Sequence, residues 1–512
     1  MIKLGEGDSP TSTTGAYPGI LVWWRTITPP LRSLPMHRPF LLVLAVGSLA
    51  WADVQLNGVF SDHGILQRER PVPVWGTAAP GEAVTVAFAG QTVKTVADAK
   101  GRWSVDLAPL TASAEGRDLT VTGDRTAAPV VVHDVLVGEV WLCSGQSNME
   151  WLLSRSTGGE EIIAAANNPL LRLGRIGHNA QKAPLATVPV TWTPVTPASA
   201  KWASAVPYLM GAALQRELGV PVGILNNAYG GTRIEGWLSA EVLRSGPWPQ
   251  DDKVDVAAAM AGYDAHLAEK PVDKWPGNYC GPTMTWNGAV APIAGFAIRG
   301  LAWYQGENNG SPGSGPRYQQ LLMALAASYR AAWKQPDLPL VVVQLCTYKK
   351  PGGYAEIREA QAAFVAQDAH AALVVTIDQS AADGDVHYPE KREVGARVAR
   401  AALGLAYGRP AEHQGPRFAK ATFADGKATV SFTHLGGGLV AKDGDLRHVE
   451  VAGADGKFQP ATAVIRGETL VASSPAVPAP TAVRYAYAQF PWPAANLFST
   501  SGLPAEPFRS DR

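Results

Sequence analysis

Between Val140 and Glu150 the chain reads VWLCSGQSNME, which sets Cys143, Ser144 and Ser147, three candidate nucleophiles, close together. Gly138 to Leu142 approaches as a strand, and SGQSNM then begins a turn or helix. A serine at the end of a parallel strand suits nucleophilic attack. Its hydroxyl can reach solvent, and N–H groups at a helix start can face an oxyanion. Ser144 is the first residue past the apolar run and is the expected nucleophile. Ser147 reads as a cap of the turn. Cys143 follows the strand's alternation and is expected to point into the core.

Groups that would complete such a site follow other apolar runs. Asn226 to Thr232 (NNAYGGT) places two glycines where a backbone N–H can approach a bound carbonyl oxygen closely. Trp303 to Asn308 (WYQGEN) supplies an amide in Gln305 that could donate to the same oxygen. Ala382 to His387 (ADGDVH) presents a histidine with carboxylates two and four residues before it, a base with an orienting acid. His387 stands in an acidic, glycine-containing segment just before a helix. His133 and His178 are weaker rivals.

These segments need a scaffold. From Val135 to Leu405, strand-like runs alternate with alanine-rich helical stretches: helices near 204–218, 318–333 and 391–405, strands near 135–143, 220–228, 338–345 and 372–380. Fully apolar strands between helices predict a parallel sheet covered on both faces, with the site beyond the strands' carboxyl ends. Residues 53–132 and 409–512 instead show short alternating runs between turns, as in PVPVWG and AVTVAFAG, and predict β-rich domains flanking a central domain at 133–408.

Length and composition fit this division. The chain has 512 residues, too many for one typical core. Lys+Arg 44 balances Asp+Glu 44, which argues against a nucleic-acid partner. Cys143, Cys280 and Cys346 lack metal-ligand spacing, and neither metal nor cofactor is expected. Residues 1–35 read as a disordered extension. Met36 to Ala52 (MHRPFLLVLAVGSLAWA) has the charged start, apolar centre and small-x-small end of a signal peptide. The expectation is an exported, periplasmic or secreted protein starting near Asp53, with no membrane anchor in its mature form.

Four ordered blocks resemble the sialate O-acetylesterase-type carbohydrate esterases, a branch of the SGNH hydrolases: VWLCSGQSNMEW at 140–151, GGTRIEGWLS at 230–239, LAWYQGENN at 301–309 and DGDVHYPEKREVGARVA at 383–399. The resemblance extends to ILQRERPVPVWGTAAPGEAVTVAFAG near the start and ANLFSTSGLPAEPFR near the end. It implies an SGNH-type three-layer α/β/α domain that hydrolyses acetyl esters on carbohydrates without a cofactor. Carried onto this chain, it makes Ser144 the nucleophile, His387 the base and Gly231 an oxyanion donor. Gln305 supplies the amide of that oxyanion site. Asp385 is the acid of choice, Asp383 its alternative, and Glu307 and Asn308 are supporting residues. Tyr388 stands where the branch usually has proline, and Pro389 implies a one-residue adjustment of that turn.

Among O-acetylated carbohydrate substrates, zero net charge and 16 tryptophans favour plant cell-wall glycan such as xyloglucan or xylan, with sialate second. Arg233 is the candidate for a sialate carboxylate; pairing with Glu235 or Glu307 is its structural alternative. Trp151, Trp237, Trp275 and Trp286 are candidate sugar platforms. A non-catalytic carbohydrate-binding protein and a hydrolase of small esters or thioesters are the rival readings.

Overall fold

The computed structural model describes residues 53–246, 248, 260–261, 281–409 and 412–511. The expected signal peptide at 36–52, Trp275 and Cys280 lie outside these residues.

The strand Val130–Gly145 organises the molecule. Its first half pairs antiparallel with Ser113–Gly123, which in turn pairs with Ala83–Phe88. Its second half lies parallel between Val222–Asn226 and Gly300–Tyr304. The central sheet runs in the order Thr191–Val195, Asn168–Arg175, Val222–Asn226, Val130–Gly145, Gly300–Tyr304, Leu340–Val343, Ala371–Val374. Only its edge strand Thr191–Val195 is antiparallel to its neighbour. The expected boundary between residues 132 and 133 falls inside the long strand.

Burial explains the two textures in the sequence. Arg102–Leu107 buries alternate residues, as a strand with one wet face does. Gly300–Tyr304, Leu340–Val343 and Ala371–Val374 are buried at every position, because helices flank the central sheet in a three-layer α/β/α arrangement. Ala205–Leu218 packs against Arg392–Tyr407, and Gly315–Trp333 against Tyr354–Gln367. The C-terminal region forms two four-stranded sheets and a two-stranded one.

After Val130–Gly145 the chain builds the sheet on one side, then returns and builds it on the other. This reversal makes the carboxyl end of that strand a switch point, where a crevice opens between the diverging connections. The C-terminal region braces one wall. The buried Arg358 donates to Ala488 O at 2.7 Å and to Gln489 O at 3.1 Å, and Gly384 abuts the Phe490 ring.

Candidate active site

The long strand runs two residues past Cys143. Ser144 is opposite Trp303 and Gly145 opposite Tyr304, and Gln146 N–H donates to Tyr304 O at 3.0 Å. Ser144 is therefore still inside the sheet. It is fully buried, and its hydroxyl donates to Asn227 Oδ1. The expectation that Ser144 faces the reaction is corrected: a sealed, internally bonded hydroxyl cannot meet a substrate. Cys143 is also buried, and burial raises its thiol far above the usual range.

The turn occurs one step later. Gly145 has φ +139°, and a Cβ there would lie 2.1 Å from Tyr304 O, so glycine is required. Ser147 then opens the helical turn Ser147–Glu150, part-exposed, with its N–H at a helix start where no intrahelical acceptor exists. His387 Nε2 lies 2.8 Å from Ser147 Oγ. The serine read as a turn cap is the one that meets the histidine. The overlooked signal was the glycine two positions before it.

Burial lowers the His387 pKa, Asp385 opposes that shift, and Lys391 reinforces it. The imidazole is thus neutral near pH 7, as a general base requires. Trp151 stacks on it, with ring centroids 5.1 Å apart and planes at 17°. Asp385 Oδ1 accepts from the His387 backbone N–H at 2.7 Å but lies 3.7 Å from Nδ1, beyond hydrogen-bond reach. Asp383 accepts from Asp385 N–H at 3.2 Å, so both carboxylates shape the loop.

Gln305 is not available to an oxyanion. It is fully buried, and its Nε2 already faces Gln146 Oε1 at 3.1 Å, Thr232 O at 3.2 Å and Asn309 Oδ1 at 2.8 Å. Its two N–H groups have three internal acceptors, which corrects the sequence expectation. The amide beside Gly231 is that of Asn308, part-exposed, whose Nδ2 donates to Gly231 O. Gly231 has φ +77°, and its N–H has no acceptor among the described residues.

A buried polar chain ties these loops together. Asn148 Nδ2 donates to Glu307 Oε1 at 2.6 Å and to Val386 O at 3.0 Å, while Lys391 Nζ donates to Asn148 Oδ1 at 2.7 Å. Burial pushes the Glu307 carboxyl up to about 7 against these hydrogen bonds and the Lys391 charge. Asn148 and Lys391 carried no sequence signal for this role, because the residues they join lie far apart in the chain.

The remaining candidates are placed by packing. Trp237 is fully buried, bonds Thr232 Oγ1 at 2.9 Å and meets Trp303 edge-on, so it is no sugar platform. Trp286 packs edge-on against Tyr329. Arg233 donates to Asn308 O at 2.8 Å and pairs with Glu235 at 3.4 Å; Arg317 pairs with the same carboxylate at 2.8 Å. His133 pairs with Asp118 at an exposed site. His178 pairs with Glu150 at 2.5 Å and stacks on Tyr229. Among the described residues no cluster of His, Cys, Asp or Glu could hold a metal ion.

Comparison with known proteins gives a consistent set of relatives. The family described as carbohydrate esterase, sialic acid-specific acetylesterase matches residues 283–404. A carbohydrate acetylesterase of known structure from Xanthomonas citri superposes with a TM-score of 0.79 at 34% identity, covering 90% of this chain and 99% of that one. The sialate O-acetylesterase of Rattus norvegicus is 27% identical over 421 residues, 73% of this chain and 78% of its own length. The human sialate O-acetylesterase is 26% identical over 412 residues, 72% and 75% of the two chains.

Proposed function

Because the chain belongs to the sialate O-acetylesterase-like carbohydrate esterases, a branch of the SGNH hydrolases, and is a carbohydrate O-acetylesterase of serine-hydrolase type, we propose that Ser147 is its nucleophile and His387 its base. The observation that carries this assignment is the 2.8 Å contact between His387 Nε2 and the part-exposed Ser147 hydroxyl.

In the proposed reaction His387 takes the Ser147 proton as the hydroxyl attacks the acetyl carbonyl. The oxyanion is held by the Ser147 and Gly231 N–H groups and the Asn308 amide. The sugar alkoxide leaves with the proton from His387. Water, deprotonated by the same imidazole, then releases acetate from Ser147. Trp151 and the Asp385-capped loop fix the ring's position.

For the sugar, similarity to the sialic acid-specific acetylesterase family and to the mammalian sialate O-acetylesterases supports an O-acetylated sialic acid ahead of the acetylated plant-wall glycan that composition favoured. One observation supports the neutral glycan as second reading: the Arg233 guanidinium is already engaged by Asn308 and Glu235. The test is acetate release from O-acetylated sialic acids, acetylated xyloglucan oligosaccharides, acetylated xylan and an aryl acetate, with Ser147→Ala as control. Release from the sialic acids alone supports the first reading, and release from a plant glycan alone replaces it with the second. Full turnover by Ser147→Ala would remove the nucleophile assignment.

A further inference from the structure

A second concavity adjoins the nucleophile helix. It encloses about 220 Å³ under the edge of the central sheet and is lined by Arg175, Thr191, Trp202, Ser204, Tyr208 and Asn226 among others. That is below the ~300 Å³ of drug-sized sites and suits one sugar ring better than a chain. Two lining residues connect it to the site already described. Ser204 Oγ donates to the backbone oxygen of Glu150 at 2.9 Å and accepts from Asn226 Nδ2 at 2.8 Å. Glu150 closes the helical turn that Ser147 opens, and Asn226 precedes the Asn227 that locks Ser144.

The lining has the chemistry of a sugar subsite. Trp202 is 62% exposed, whereas Trp141, Trp192, Trp237 and Trp303 are all at most 2% exposed. An indole left this open at a pocket wall is a stacking surface for the apolar face of a pyranose. Arg175 is exposed, and its guanidinium makes no hydrogen bond or ion pair with the described residues, although Glu150 feels its charge. Lys201 Nζ, 5.9 Å from the Trp202 ring centre, adds positive charge at the rim. The Tyr208 and Thr191 side chains add hydroxyls to the lining. An exposed planar fork of donors at the pocket lining fits a carboxylate, which it can hold through two parallel hydrogen bonds.

We propose that this pocket is a subsite for an acidic sugar ring, stacked on Trp202 with its carboxylate held by Arg175. The proposal rests on the sialate reading of the substrate and gives that reading the free cation that Arg233 does not offer.

The test is calorimetric titration of full-chain Ser147→Ala protein with N-acetylneuraminic acid, its methyl ester and a neutral glucose oligosaccharide. The acid should bind, and its ester and the neutral sugar should bind at least about tenfold more weakly, the loss expected for one charge-assisted contact. Adding Arg175→Gln should abolish the preference for the acid, and adding Trp202→Ala should weaken both forms of the ring. With Ser147 restored, Arg175→Gln should raise KM for an O-acetylated sialic acid about tenfold and leave that of its methyl ester in place. Equal binding of acid and ester, or no effect of Arg175→Gln, overturns the proposal. If O-acetylated sialic acid is a good substrate and both pocket variants act normally on it, the subsite falls while the sialate reading stands. If the acid binds through Arg175 but acetate is released only from neutral glycans, the sialate reading falls while the subsite stands.

Discussion

The Trp151 indole lies flat on the His387 imidazole, centroids 5.1 Å apart and planes within 17°. Trp151 is therefore a wall of the base we propose, and it fixes the ring where a hydrogen-bonded acid would in other serine hydrolases. Trp151→Ala should reduce kcat by about tenfold to a hundredfold, and Trp151→Phe should restore most of it. Steady-state kinetics on an aryl acetate reads the effect. A variant that changes only KM for sugars would return Trp151 to the role of substrate platform.

Asp385→Asn should be mild. The carboxylate is 3.7 Å from Nδ1 and is mainly a cap for the His387 N–H, which an asparagine oxygen can also accept. The expected loss in kcat is below about tenfold, against the ~10⁴ seen where a buried acid holds the tautomer. A loss near 10⁴ would mean that the loop closes onto Nδ1 in the substrate complex.

The two serines should separate by assay. Ser147→Ala should lower kcat by at least ~10⁴-fold with the fold intact. Ser144→Ala should keep turnover within about tenfold and cost stability instead, about 1–3 kcal/mol, because Asn227 Oδ1 loses its buried donor. Chemical denaturation beside kinetics distinguishes the two losses.

The amides should separate in the same way. Asn308→Ala should lower kcat by ~10²–10³-fold through loss of an oxyanion donor. Gln305→Ala strips buried partners from Gln146, Thr232, Asn309 and Tyr318 and should appear first as a lower Tm. The reverse pattern would restore Gln305 to the oxyanion site.

Two titrations should be visible. The depressed His387 pKa places the acid limb of kcat/KM below about pH 6.5, with activity full above it and lost as pH falls through it. Glu307 has the opposite sign. Its folded-state pKa of about 7 exceeds the unfolded value near 4.5, so the folded state holds the extra proton. Stability from this group is fully present below about pH 4.5 and declines as pH rises through 7, by at most ~3 kcal/mol. Glu307→Gln keeps an acceptor for Asn148 and should flatten the difference in unfolding free energy between pH 5 and 8. An unchanged slope would place the titration elsewhere.

The scaffold was legible because burial on both faces writes itself into sequence: LPLVVVQL and ALVVTIDQS contain the strands Leu340–Val343 and Ala371–Val374. His387 stood out too, since it stands in a loop segment where a core histidine has no reason to be, and it is the histidine we propose as base. Apolar texture misplaced the end of the strand and so the exposure of Ser144. The run ends at Cys143, but Gly145 stays in register with Tyr304 on the neighbouring strand, whose carbonyl accepts from Gln146 N–H, and that hydrogen bond has no local signature. Gln305 was misread for a related reason: an amide's type is visible in sequence, but whether its donors are already taken depends on three acceptors, two of them, Gln146 and Thr232, far away in the chain. Arg175 and Trp202 gave no signal because nothing in their neighbourhoods announces a pocket.

The strand Val130–Gly145 belongs at once to the antiparallel sheet of the N-terminal region and to the parallel sheet beneath the site. Its continuity denies the molecule a seam. Cutting the N-terminal strands away would bare the first half of the strand that carries Gly145 to its turn, leaving an unpaired edge on the layer beneath the site. Shortening this protein from the front should give insoluble chains well before it gives a smaller esterase.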